Sequence, residues 1–149
     1  MIIRPADRAD YETMAALWFD SWISVGIANE TDLTREGVRE RFFRDAGNRW
    51  DLFAAEEDGA IVGMLALIPS EDRIDQIFVD PYYKGLGVGL ELLNFAKARM
   101  PGRIVLVTHE TNRRARAFYE REGFRLVSTE YDEGHRRTKC HYEWRGDTA

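Results

Sequence analysis

Ile74-Asp-Gln-Ile-Phe-Val-Asp-Pro-Tyr-Tyr-Lys-Gly-Leu-Gly-Val-Gly-Leu90 is the stretch on which the fold turns: an apolar strand runs into a glycine-rich turn and then into an amphipathic helix. Gly85, Gly87 and Gly89 let the backbone turn tightly and come close to a ligand. The first turn of the helix adds unpaired N–H groups and the positive end of its dipole. A phosphate or pyrophosphate suits that surface, and a glycine-rich connection without a ligand is the plainer alternative.

Working outward, Met1 to Arg4 reads as a short edge strand ended by Pro5. Asp7 can cap a helix reaching about Trp22, with Met14, Leu17, Trp18 and Ile23 on one side. Val25 to Leu33 reads as an irregular loop, and Thr34 can cap a second helix to about Arg44. Leu52 to Glu56 and Ala60 to Ile68 form strands around a tight turn at Asp58-Gly59. Ile74 to Val79 is the next strand, stopped by Asp80-Pro81. Gly87 to Met100 is helical, with Leu90, Leu93, Phe95 and Ala96 in apolar spacing, and Pro101-Gly102 ends it before a strand from Arg103 to Thr108. A helix from about Asn112 to Glu122 is closed by Gly123, and Phe124 to Glu130 and Lys139 to Trp144 make a last pair of strands. This order describes an α/β chain of the α+β kind: a mixed sheet with helices on its faces.

The chain has 149 residues, 44% of them apolar, which fits one globular domain over 1–149 able to bury a core. Its net charge of −5 argues against nonspecific binding to nucleic acid or to an anionic membrane, although Arg113, Arg114 and Arg116 form a local basic cluster. The single Cys140 leaves no internal disulfide and suggests a reducing compartment. No stretch approaches the roughly 18 apolar residues that span a bilayer, and Met-Ile-Ile-Arg-Pro lacks the pattern of a leader. A cytoplasmic protein is the expectation.

Two stretches resemble the GNAT superfamily of acyl-CoA-dependent N-acyltransferases, and the resemblance covers nearly the whole chain. Val79-Asp-Pro followed by Lys84-Gly-Leu-Gly-Val-Gly89 looks like the family's pyrophosphate signature: Gln or Arg, two residues, Gly, one residue, then Gly or Ala. Asn112 followed by Ala115-Arg-Ala-Phe-Tyr-Glu-Arg-Glu-Gly-Phe124 is similar to the family's Asn-to-Tyr helix and closing Gly-Phe. Lys84 departs from the usual Gln or Arg but still supplies positive charge beside the backbone N–H groups. The resemblance implies a mostly antiparallel sheet splayed between its fourth and fifth strands, with helices on both faces. It also implies acetyl-CoA as co-substrate. Pantetheine would pair with backbone groups of Ile77, Phe78 and Val79, and pyrophosphate would meet the N–H groups of Lys84, Gly85, Leu86, Gly87, Val88 and Gly89. Asn112 would touch the cofactor arm; an ordinary helix cap is its alternative role.

Acyl transfer to an amine needs a neutral amine, a stabilised oxyanion and a proton for the leaving thiolate. Tyr119 matches the family's Tyr beside the cofactor sulfur, where a phenol can supply that proton, with a buried structural Tyr as the alternative. A backbone N–H near Ile77 on the bulged strand would polarise the thioester carbonyl. An alkylammonium is only on the order of one part in a thousand neutral at pH 7, a handicap of roughly 4 kcal/mol. Asp75 is the first candidate base, because family members often carry one just before the bulge; a surface or substrate-binding carboxylate is its alternative. His109 and Glu110 are second choices. Some protein N-terminal acetyltransferases carry a Glu five residues before the Asn, a position held here by Val107.

The acceptor pocket of the family draws on the first two helices, their loop and the last strands, which brings in Trp18, Trp22, Asp20, Glu30 and Asp32; the two Trp residues equally suit a helix core face. The acceptor, a small-molecule or peptide amine, is left open. Many relatives form dimers, so the resemblance allows a homodimer whose interface no pattern in this sequence specifies. Cys140 reads as core rather than as a nucleophile, which favours direct transfer over an acyl-enzyme. His135, Cys140 and His141 lack ligand spacing, so no metal is expected. Rival readings are a dinucleotide enzyme, with Glu110 about twenty residues beyond Gly89, a nucleotide triphosphatase, which lacks its Gly-Lys-Ser or Gly-Lys-Thr, and a noncatalytic acyl-CoA sensor.

Overall fold

The computed structural model describes residues 1–24, the last three of these by backbone alone, and residues 34–146. The expected loop from Val25 to Leu33, with Glu30 and Asp32, lies outside the described residues, as does the side chain of Trp22. Strand β1 (Ile2–Pro5) is followed by a capping box: Asp7 accepts the N–H of Ala9, and Asp10 returns to the N–H of Asp7. The single 3-10 turn Arg8–Asp10 leads directly into α1 (Tyr11–Ser24). Arg4 grips Asp10 through both guanidinium nitrogens, at 2.8 and 3.0 Å, and so ties the strand to the helix start.

Thr34 accepts the N–H of Gly37 at 3.0 Å and opens α2 (Arg35–Asn48), which runs about one turn past its expected end. That extra turn survives because Ala46 packs against the core and the carbonyl of Asp45 takes the N–H groups of both Arg49 and Trp50. Strands β2 (Asp51–Glu57) and β3 (Ala60–Ile68) meet at Asp58 and Gly59, whose φ angles of 51° and 83° suit a tight hairpin. β4 (Arg73–Val79), α3 (Val88–Arg99), β5 (Arg103–His109), α4 (Arg113–Arg121), β6 (Arg125–Asp132) and β7 (Arg137–Arg145) complete the order.

The seven strands form one sheet in the order β1-β2-β3-β4-β5-β7-β6. Every neighbouring pair is antiparallel except β4 and β5, which run parallel and meet only at Arg73 and Val105. The sheet is therefore splayed where the resemblance implies it. A helix layer covers each face. On one side α3 and α4 bury Leu92, Leu93, Ala96 and Tyr119 against Leu65, Leu67, Ile104 and Tyr142; on the other, α1 and α2 bury Met14, Trp18, Val38 and Phe42 against Met64, Ala66 and Ile68. Covered on both sides, β3 reads in sequence as a nearly unbroken apolar run rather than an alternating one.

The bulge in β4 lies earlier than expected. Ala66 pairs with Gln76 while Leu67 pairs with Ile74, so Asp75 is the extra residue, and Ile77 sits in regular register with Leu65. The resemblance sets Asp75 just before the bulge, and the structure makes Asp75 the bulge residue itself, because register is fixed by the β3 partners and these are invisible locally.

Phe42 is fully buried between Tyr11, Trp18 and Trp50, with ring centroids 5.5 to 6.0 Å away. Phe42→Ala is expected to cost about 3–5 kcal/mol, read as a lowered urea midpoint with an unchanged slope.

Candidate active site

Below the single β4–β5 pair the two strands diverge, and a cleft of about 960 Å³ opens between them. One wall is β4 from Ile74 to Val79; the other is β5 from Leu106 to His109 with the inner side of α4. Along β4 the edge toward β5 carries no strand partner beyond Arg73, so backbone donors and acceptors face the cleft. Ile77 directs its backbone groups to that edge, whereas Phe78 does not: the Asp80 N–H bonds to the Val62 carbonyl, so in the alternating ladder Phe78 turns its N–H and C=O toward Met64 of β3. The carbonyl of Val79 is already engaged: the hydroxyl of buried Ser21 on α1 donates to it at 3.3 Å. Ser21 went unnoticed in sequence because a lone serine on a helix carries no signal of a partner 58 residues away.

At the open end of β4 the chain makes a short turn, Pro81–Tyr83, capped by Asp80, before the glycine segment. Gly85 and Gly87 both adopt φ near +85°, which L side chains resist, and Gly87 is the N-cap of α3. The N–H of Val88 and those after it therefore open toward the cleft mouth, with Lys84, Gly85, Gly87 and Gly89 lining it. Gly89 is different in kind. An added Cβ would sit 3.7 Å from Val79 and 3.8 Å from Phe118, an ordinary contact, so Ala would fit there. Leu86 is exposed and Val88 buried, so these two offer backbone rather than side chains. Burial and the neighbouring Arg114 lower the pKa of Lys84, which puts two cations beside this turn. Of the basic cluster, Arg114 lines the cleft, whereas Arg116 turns away to donate to the Tyr142 hydroxyl at 3.0 Å.

Asn112 serves as the helix cap of α4, its side-chain oxygen accepting the N–H of Ala115 at 3.3 Å, and it lines the cleft as well. Tyr119 is 8% exposed, wedged among Phe118, Phe124 and Tyr142. Burial pushes its hydroxyl above the usual phenol range, so it keeps its proton throughout neutral pH. Asp75, the bulge residue, also lines the cleft, and one carboxylate oxygen accepts the buried Trp50 indole N–H at 2.8 Å.

His109 and Val107 face the cleft, and Glu110 is not among its lining residues. Burial first, then the positive charge of Lys139, lowers the His109 pKa and favours neutral imidazole; its buried Nδ1 has no hydrogen-bond partner among the described residues. Trp18 belongs to the core: it is fully buried against Phe42, Trp50 and Phe78 rather than open to an acceptor. Asp20 pairs with Arg35 at 3.2 Å away from the cleft. The acceptor side gains Arg41 from α2 and Glu130, Lys139 and His141 from the last hairpin. Cys140 is fully buried, and among the described residues no group of three or more His, Cys, Asp and Glu could hold a metal. Among them too, no helix is long and apolar enough to cross a membrane.

The model of the Acetyltransferase (GNAT) family matches residues 11–124. The peptidyl-lysine N-acetyltransferase YiaC of Escherichia coli is 29% identical over 130 residues, spanning 85% of this chain and 84% of its own. Among solved structures, apo YjaB of Escherichia coli superposes with a TM-score of 0.79 at 24% identity, over 98% of this chain and 99% of that one. The PaiA N-acetyltransferase of Thermoplasma acidophilum, in complex with coenzyme A, gives 0.77 at 20% identity, over 97% and 98%.

The two glycines of the turn should separate in a titration with coenzyme A. Gly87→Ala forces an L side chain to φ +86°, a strain of about 1–2 kcal/mol, and should weaken binding roughly tenfold. Gly89→Ala should bind within about twofold of the parent chain; the reverse order would remove the anion role from this turn.

Proposed function

Since the chain belongs to the Acetyltransferase (GNAT) family, we propose that it moves an acetyl group from acetyl-CoA to a primary amine of a small molecule or peptide, by direct attack in a ternary complex. It is an acetyl-transferring enzyme, and acetyl-CoA is its co-substrate. The observation that carries the reading is a bared strand edge at Ile77 that leads into a turn of positive-φ glycines, with a buried tyrosine lining the same cleft. An edge of that kind suits the alternating amides of pantetheine, and the glycine turn, Lys84 and Arg114 suit its diphosphate. Acetyl-CoA supplies an activated thioester.

In this reading the N–H of Ile77 donates to the thioester carbonyl, and Tyr119 gives its proton to the departing sulfur. The raised pKa of Tyr119 keeps the acid loaded; a thiolate leaving in an apolar pocket is basic enough to take the proton. Asp75 takes the proton from the acceptor ammonium, directly or through water. Its free oxygen is available for this because Trp50 holds the other. A buried, unpaired thiol at Cys140 agrees with direct transfer and with a reducing cytoplasmic setting. Residues Arg41, Glu130, Lys139 and His141 form a mouth of mixed charge, which suits a polar amine on a larger molecule better than an apolar one. The protein substrate in the name of YiaC supports including peptide lysines in the first panel of acceptors.

The test is a thiol-release assay with acetyl-CoA over amines of graded pKa, beside calorimetry with acetyl-CoA. Tyr119→Phe should lower kcat by about 10²–10⁴ with acetyl-CoA affinity unchanged. Asp75→Asn should depress turnover of alkylamines far more than that of weakly basic amines, which are already neutral. Tight acetyl-CoA binding without thiol release for any amine, peptide lysines included, would instead indicate a sensor.

A further inference from the structure

His109 lines the cleft but takes no part in the proton transfers of Tyr119 and Asp75. It ends β5 on the face that also carries Val107, and its strand partner on β7 is Lys139. The residue is half-buried, and its Nδ1 is sealed from solvent with no partner among the described residues. The part of the ring offered to the cleft is therefore the Nε2 side. Building on the acetyl-transfer reading, we propose that Nε2–H of His109, beside Lys139, binds a carboxylate carried by the acceptor, which makes the acceptor an amino-acid-like amine rather than a simple alkylamine or polyamine.

The tautomer follows from burial. A buried N–H without an acceptor is the rarer orphan in folded proteins, so the single proton of the neutral ring belongs on Nε2 and the lone pair on the sealed Nδ1. Burial first, then the positive charge of Lys139, lowers the His109 pKa; Asp132 pulls the other way and His135 reinforces Lys139. The ring is thus a neutral donor. As a base toward the cleft it is poorly built, because it would need its lone pair on Nε2 and its proton on Nδ1, where no third group holds it.

The surrounding charges decide what meets such a donor. Lys139 and Arg137 of β7 and Arg41 of α2 line this part of the cleft. The carboxylates there are already engaged: Asp132 meets His135 at 2.8 Å and Lys139 at 3.6 Å, and Glu130 meets His141 at 3.2 Å. At His109 the pull of Lys139 outweighs that of Asp132, which favours an anionic oxygen over an ammonium. A carboxylate there gains a charge-assisted hydrogen bond and a nearby cation together. The ammonium of the same acceptor is drawn to the opposite wall, where Asp75 keeps one oxygen beyond its bond to Trp50. Two walls of opposite preference thus orient one acceptor, amine toward β4 and carboxylate toward β5.

The test titrates acceptor pairs by calorimetry into the protein saturated with coenzyme A, and follows thiol release from acetyl-CoA separately. The pairs are ω-amino acids of increasing chain length and their methylamides, which keep the amine and lose the negative charge. At least one acid should bind roughly tenfold more tightly than its methylamide. His109→Leu and Lys139→Gln should each shrink that preference to about twofold, whereas His109→Gln, which keeps an N–H donor at similar reach, should hold most of it. Melting temperature and coenzyme A affinity check that each variant is folded. A series in which no acid is preferred over its methylamide overturns the proposal. So does a His109→Gln chain that loses turnover of alkylamines as steeply as Asp75→Asn, the mark of a base. Because binding is read without turnover, a carboxylate preference with no thiol release supports this assignment and sinks the acetyl transfer instead.

Discussion

The parting of β4 from β5 after one residue pair is the constraint on which the rest of the molecule depends. A sheet interior normally satisfies every backbone N–H and C=O. Here the fourth strand gives up that satisfaction from Ile74 onward on the side toward β5, and the gap is wide enough to hold a ligand arm. Both helix layers are arranged around this gap. α3 begins where β4 ends and aims its N-terminus at the mouth, and α4 brings Tyr119 to the inner wall. Without the splay, the glycine turn would be a surface anion site with no acyl group nearby.

The cleft is electrically uneven, and that unevenness follows from what each wall is made of. Around the glycine turn the charges are cationic, Lys84 and Arg114, beside the open end of a helix. Deep on the α4 side the wall is apolar around Tyr119, whose phenol burial keeps neutral. Toward the last hairpin the charges alternate in sign, from Glu130 and Asp132 to Lys139 and His141, with Asp132 held by His135 and Lys139. A donor molecule with an anionic tail and an apolar reactive end can be oriented by such a gradient in one direction only.

Local chemistry explains what was legible in the sequence. The hairpin at Asp58-Gly59, the caps at Asp7 and Thr34 and the run of β3 depend on neighbours within a few residues, and they stand where their residues imply. The positive-φ glycines were readable for the same reason. What sequence could not supply was register and cross-chain contact. The bulge fell at Asp75 because β3 sets the pairing, and Trp18 went to the core because Phe42 and Trp50 close over it. Ser21 and Arg41 reach the cleft only through the way α1 and α2 lie on β4. Asn112 shows that two readings of one residue need not compete, since it caps α4 and lines the cleft with the same short side chain.

The long-range bonds also tie each half of the sheet to its own neighbours, and within the sheet the two halves pair at one place, Arg73 with Val105. On one side, Trp50 holds Asp75 and Ser21 holds Val79, so β4 is bound to the layer made by α1, α2 and β2. On the other, Tyr142 donates to Glu120 and accepts from Arg116, which binds α4 to β7 and through it to β5. The two halves meet closely at Asp72, a residue in the left-handed region with φ 54°. Its carbonyl accepts the N–H of Val105 at 2.8 Å and its carboxylate pairs with Arg103 at 3.4 Å. The strands begin to part at this apex, while the core beneath α3 and α4 holds both halves together, with Lys97 donating to the Glu122 carbonyl at 2.7 Å. Asp75 and Tyr119 stand on opposite walls, so the apex and the core between the halves together set the distance across which an acid and a base must cooperate.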